Sequence, residues 1–214
     1  MPRVYRSLTK QQNDAANLYA DLLNEANARI ESINTGIGGA LGFSSVLVRE
    51  YCYLQLRMLC ELIALGCLTA HGDIQATQTA KFQTEYAADK IIKKLGELHP
   101  NFYPHAVRLK ITPHHVHFDR IEHGFLTKSE LVDLYHKCGD RLHRGSAKKL
   151  LADKKKTQPP NYTDIINWTS KIVTLLSQHH IASFDNLTHF ICMAKSESSG
   201  GLAQVAIAQS PLPE

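Results

Sequence analysis

Residues Ser44 to Ala70 read SSVLVREYCYLQLRMLCELIALGCLTA, and from Val46 to Leu68 the stretch is apolar on nearly every side. A helix on a protein surface carries an apolar stripe of roughly 100°, whereas one that is apolar all round is enclosed by other elements. The stretch therefore predicts a central helix with the rest of the chain built around it. Its charges are not scattered. Glu50, Arg57 and Glu61 fall at i, i+7 and i+11, within about 40° of one another at 100° per residue. Two carboxylates bracketing one cation on an enclosed helix predict a buried polar ladder, because buried charge persists only when paired. The alternative is that these three groups form the polar floor of a ligand site.

Upstream, Thr9-x-x-Gln12 has the form of a capping box. Ala15, Leu18, Leu22 and Ile33 then recur at helical spacing, predicting a first helix near 9–35 that stops at Gly36, Gly38, Gly39 and Gly42. Downstream, a helix is expected over 77–98, with Phe82, Tyr86, Ile91, Leu95 and Leu98 as its inward line, and Pro100 and Pro104 end it. Val107, Leu109 and Ile111 alternate, as do Val116 and Phe118 beyond a turn at Pro113. That is the pattern of a β-hairpin. Thr127-x-x-Glu130 opens a helix over 127–144, with Leu131, Leu134, Tyr135, Cys138 and Leu142 in one stripe. A fifth helix is expected over 163–179, with Ile165, Ile166, Ile172, Val173 and Leu176 inward. Residues 187–194 and 203–208 flank Ser198-Ser199-Gly200-Gly201 as a second, looser hairpin. The predicted fold is thus mainly α, a bundle of about five helices around a buried central helix with one or two small β-hairpins. A single domain over 1–214 is expected, with its helical core at about 9–180 and residues 181–214 as a hairpin-like appendage and frayed tail.

With 214 residues, 43% hydrophobic and 21% charged, the composition is that of an ordinary soluble globule. A net charge of +4 is too mild to demand a polyanionic partner. The apolar run Leu62–Ala70 is far shorter than the roughly 20 residues that span a bilayer, so no membrane association is expected. Met1–Lys10 is polar and lacks the character of a signal sequence. Cys52, Cys60 and Cys67 recur on one face of the central helix, a spacing that suits small buried hydrophobes rather than disulfide partners or zinc ligands. A reducing cytoplasm is the expected home.

Histidines crowd the first hairpin, at His105, His114, His115, His117 and His123. A solvated, histidine-rich edge is expected there. A metal site would draw on His115 and His117, which share one face of a strand, yet no third ligand follows at a suitable spacing. Neither a metal nor a cofactor is expected.

The densest chemistry falls on the helix predicted over 127–144. His136, Asp140 and His143 align at i, i+4 and i+7, and Lys137, Arg141 and Arg144 align beside them. Histidine moves protons near neutral pH, and a carboxylate one turn away can set its tautomer. Arginine and lysine hold phosphate oxygens. His143, Lys137, Asp140 and Arg141 therefore make a catalytic kit for metal-free cleavage of RNA. Arg144, His136, Lys148 and Lys149 would be binding groups, the two lysines lying in a basic linker closed by Pro159-Pro160. The competing reading is an ordinary solvated face, since this stripe lies opposite the apolar stripe of its own helix.

A long helix carrying Leu54, Arg57 and Glu61, followed by a helix with a basic residue and a histidine, resembles the HEPN superfamily. The resemblance covers roughly Ser44 to His179. It implies a helical domain that dimerises, with an Arg-x4–6-His motif forming a ribonuclease site across the dimer. Here the helical counterpart is Lys137-x5-His143, with lysine in place of arginine. Arg108-x5-His114 has the literal spacing, but Pro113 and the β alternation take it off any helix. The expected function is an RNA-directed module, either a metal-independent ribonuclease or a degenerate RNA binder, with RNA and a second copy of the chain as partners. The alternative is a non-catalytic helical protein for interaction, dimerisation or sensing.

Overall fold

Thr9 sets the start of the first helix. Its hydroxyl accepts from the Gln12 amide at 3.2 Å, while the Gln12 side chain accepts from the Thr9 amide at 2.9 Å, so two of the orphan donors at the helix start are satisfied. The computed structural model describes residues 7–111, 116–143 and 161–211. Helix α1 spans Lys10–Ile37 and α2 spans Ser45–Ala70. The turn between them places Gly39 and Gly42 at φ 82° and 65°, a region that L side chains seldom enter.

The helix expected over 77–98 is interrupted. A 3-10 turn over Gln75–Gln78 and a short α3, Ala80–Gln83, precede an extended run, and α4 then covers Ala88–Leu98. The Glu85 carboxylate accepts from the Ala87 amide at 3.3 Å and from Lys94 at 3.2 Å. Those bonds hold the chain out of helical register and leave Tyr86, expected inward, 72% exposed. Strands β1 (His105–Ile111) and β2 (Val116–Arg120) follow, then α5 (Lys128–Leu142). A second reciprocal capping box, Thr127 with Glu130, opens α5. The remaining elements are α6 (Thr163–Ser177), β3 (Gln178–Ala182), β4 (Thr188–Met193) and β5 (Gln204–Gln209).

The fold class departs from a mainly α bundle. Among the described residues the five strands form one antiparallel sheet in the order β2-β1-β3-β4-β5, so the molecule is α+β. The two hairpins are present, but they are not separate decorations. The last helix, expected to run through His179, ends at Ser177, and the chain passes without a loop into β3. That strand pairs β1 through His105–His180 and Ala106–His179 on one edge and β4 on the other, joining both hairpins into one layer.

Alternation divides the sheet residues between two faces. Ala106, His179, Ile181, Phe190 and Cys192 point into the core shared with the helices, and all are buried. His105, His180, His189 and Ile191 point the other way. Helix α2 lies at the centre, packed by α1, α4, α5 and α6. Its Cys52, Leu56, Leu59, Cys60, Ala64 and Cys67 have no exposed surface. All five cysteines are free and buried. Among the described residues α2 alone is long and apolar enough to cross a membrane, and 67% of its apolar window is buried inside the fold. Ile166 and Val173, expected inward on α6, are exposed; the inward line is Ile165, Thr169, Ile172 and Leu176.

Candidate functional site

Arg49, Tyr53, Arg57 and Glu61 fall four residues apart on α2. Each step of four drifts only about 40° around a helix, so they make one polar line along a largely apolar helix. That line faces α5 and α6. Arg57 Nη2 donates to the Tyr135 hydroxyl at 2.6 Å, its guanidinium carbon lies 4.1 Å from the Tyr135 ring centre, and its Nε is 3.4 Å from Glu61. A Cβ at Gly139 would lie 3.5 Å from Arg57 Nη1, so the guanidinium crosses α5 where that helix is thinnest.

Two turns toward the start of α2, Arg49 pairs with Asp164 of α6, and the Tyr53 hydroxyl donates to the same carboxylate at 2.6 Å. Burial would raise the Asp164 carboxyl, but the bonds from Tyr53 and Arg49 outweigh it and hold the group below its ordinary range. Burial and the bond to Asp164 push the Tyr53 phenol up to about 12, so it remains a donor at any physiological pH. Arg141 of α5 approaches the Tyr53 ring at 5.9 Å. One turn earlier on α5, the Lys137 ammonium lies 5.0 Å from the centre of the Trp168 ring, and Lys171 lies 5.5 Å from it. Lys171 also pairs with Glu130. Beside this ring is a recess of about 490 Å³ lined by Gly124, Asp164, Asn167, Trp168, Ser170 and Lys171.

The seam therefore joins residues from two separate sequence features. Arg57 and Glu61 of the expected ladder are brought to α5, as a partly exposed pair with Tyr135. Glu50 is half-buried and has no ion pair among the described residues, so no cation is bracketed by two anions. Lys137 and Arg141 come together on one side of α5, over Trp168 and Tyr53. His136 turns to the opposite side, 3.8 Å from Asp89 of α4. Asp140 is exposed. His143 is the C-cap of α5, exposed and already in extended backbone at φ −85°, ψ 134°. Arg144, Lys148 and Lys149 lie outside the described residues, as do His114 and His115 of the hairpin. His117 pairs with Asp119 at 3.0 Å, and among the described residues no three histidine, cysteine or acidic side chains cluster as a metal site would require.

Trp168, Tyr53, Arg49, Asp164 and Lys171 were not legible as site residues from spacing along one helix. The one signal in the sequence was Trp168, the chain's single tryptophan, set at the edge of the apolar line of α6. Tryptophan suits such a boundary, with an apolar body against the core and a polar edge toward water. Comparison of the chain with protein-family models, with curated proteins and with solved structures found no match.

Proposed function

We propose that the chain is an RNA-directed module, of the kind its resemblance to the HEPN superfamily implies, and that it holds a single strand along the seam between α5 and α6. One observation carries this reading. Lys137 and Arg141 have no carboxylate partner among the described residues, and each lies beside an aromatic ring. Bases of any identity stack on exposed aromatic faces, and phosphates track cations. The partly exposed Trp168 ring beside Lys137 therefore suits a single strand, while the buried Tyr53 ring seats Arg141 next to it. Arg144, Lys148 and Lys149 continue the basic sequence from the end of α5.

Cleavage asks for more than one chain. A metal-free ribonuclease brings a base to the 2′-hydroxyl and a cation to the developing charge on phosphorus. Lys137 is turned over the Trp168 ring, whereas His143 is the exposed, extended C-cap of α5, beyond the helical turns that hold Lys137. His143 would meet its cation from a second copy, in the homodimer that the resemblance implies. Helix α2 offers that copy an apolar strip, since Val46, Leu47 and Leu54, with Phe43 just before it, are exposed.

Because Trp168 is the only tryptophan, its fluorescence reads the site directly. Titrating single-stranded RNA at low salt should quench it saturably. Lys137→Ala with Arg141→Ala should weaken binding by about tenfold or more. The log–log salt slope should flatten by roughly 0.7 for each phosphate that is no longer neutralised. If cleavage accompanies binding, it should persist in EDTA and vanish in His143→Ala. Absence of both quenching and RNA binding at low salt would sink the RNA reading and leave the seam as a surface for binding another protein.

A further inference from the structure

On the sheet face turned away from the helices, three side chains stand in a line that the α5–α6 seam does not use. Ser210 follows β5, and its Oγ lies 2.8 Å from Nε2 of His189 on β4. Nδ1 of His189 lies 3.0 Å from Nε2 of His180 on β3. The register explains the meeting: Ala182 opposes His189, so His180, two residues earlier, shares its face. The two imidazoles stack at 5.2 Å, and Phe118 stacks on His180 at 4.9 Å. The Ser210 amide donates to the Leu187 carbonyl at 2.9 Å, which fixes the residue just past the strand. Ser210 and His189 are half-buried, while His180 is buried.

A hydroxyl within reach of an imidazole, itself oriented by a third group, is the arrangement that activates a serine. Burial lowers the pKa of His189, against the pull of the Asn186 carbonyl and the Asp185 charge. The ring is thus neutral and able to take a proton near pH 7, and Asp185 favours the imidazolium that results. His180 is held at about 4 by burial and by its neighbours His189, His105 and Arg120, so it orients His189 as a neutral ring.

We propose that Ser210 is a nucleophile for acyl transfer from small activated carboxylic esters, with His189 as its general base and His180 as the residue that positions His189. The Ser210 oxygen bonds to the acyl carbon while its proton passes to His189 Nε2. The ester C–O bond then breaks, and the leaving oxygen takes that proton. Water, giving a proton to the same nitrogen, attacks the acyl-serine; the carboxylic acid departs and the proton returns to Ser210. This activity is separate from the proposed RNA seam.

The test treats the full chain with a fluorophosphonate, maps the adduct by mass spectrometry, and follows nitrophenolate release from p-nitrophenyl acetate. The expected result is an adduct on Ser210 and a burst of about one nitrophenolate per chain, as acyl-enzyme accumulation requires. Both should be absent in Ser210→Ala, whose folding is checked by circular dichroism and whose Trp168 response to RNA should be unchanged. His189→Ala should slow acylation by about 100-fold or more. His180→Gln should retain the adduct but shift the midpoint of the pH–rate profile; an unshifted midpoint removes its positioning role. No adduct on Ser210, or a burst of equal size in Ser210→Ala, overturns the proposal.

Discussion

The Tyr19 hydroxyl and Nε2 of His179 lie 2.8 Å apart in the core, joining α1 to the central strand of the sheet. Both residues are buried. The other ring nitrogen of His179 faces the Leu176 carbonyl at 3.3 Å, so the imidazole has a partner on each side. Tyr19→Phe keeps the packing and strands one buried nitrogen, which should cost about 1–3 kcal/mol. Urea denaturation at pH 7 measures it. Combining Tyr19→Phe with His179→Leu should cost less than the two single changes added together, since the pair shares one interaction.

Acid should weaken the same bond. Burial, opposed only by the Leu176 carbonyl, lowers the His179 pKa from 6.5 to about 4. The unfolded chain therefore binds a proton that the folded chain refuses. The stability contributed by neutral His179 is complete above pH 6.5 and is lost as pH falls toward 4, a change of order 3 kcal/mol. In NMR titrations the His179 ring should stay neutral through pH 5. Titration near 6.5 in the native protein would contradict its placement beside Tyr19.

Two helical glycines should respond in opposite directions to alanine. A Cβ at Gly66 would lie 3.0 Å from Cε2 of Tyr19, a buried ring tethered to His179. Overpacking of about 1–3 kcal/mol outweighs the helix-propensity gain of up to about 1 kcal/mol, so Gly66→Ala should destabilise. At Gly139 the nearest atom is a partly exposed guanidinium at 3.5 Å. There the propensity gain prevails, and Gly139→Ala should raise stability by up to about 1 kcal/mol. Thermal melts of the two variants suffice.

The central helix makes a further quantitative claim. Leu59 and Ile63 are 0% and 3% exposed, so alanine at either should cost about 2–5 kcal/mol. Arg57 is different, because it retains an open side and one carboxylate. Arg57→Met should cost about 1–2 kcal/mol, below the 3–5 kcal/mol expected where removal strands an enclosed charge. Chemical denaturation of the three variants gives the order.

The helical half of the fold is legible because its signals are local. Both capping boxes form as their spacing requires, and the predominant apolarity of Ser44–Ala70 does mark the centre. The sheet is harder to read because its decisive strand is short and polar. In Gln178-His179-His180-Ile181-Ala182 the inward positions are His179 and Ile181, so alternation of hydrophobicity is blurred by a buried histidine whose partner is 160 residues away. With no turn residue after α6, the sequence pattern carries the helix on through His179, and the two hairpins look unrelated. Phase is a second source of error: Ile166 and Val173 each sit one residue from the true inward line of α6. At the seam, the spacing of Lys137 and Arg141 correctly groups them, but their rings come from α2 and α6, which no periodicity within α5 can reveal.

The order of strands also sets the order in which the chain can be completed on the ribosome. The β1–β2 hairpin emerges early, yet the free edge of β1 has its partner only in β3, after α5 and α6 have been synthesised. Until then the nascent chain carries an unpaired strand edge, the kind of surface that recruits other chains. Truncations ending before Gln178 should therefore aggregate even though most of the helical core is already encoded.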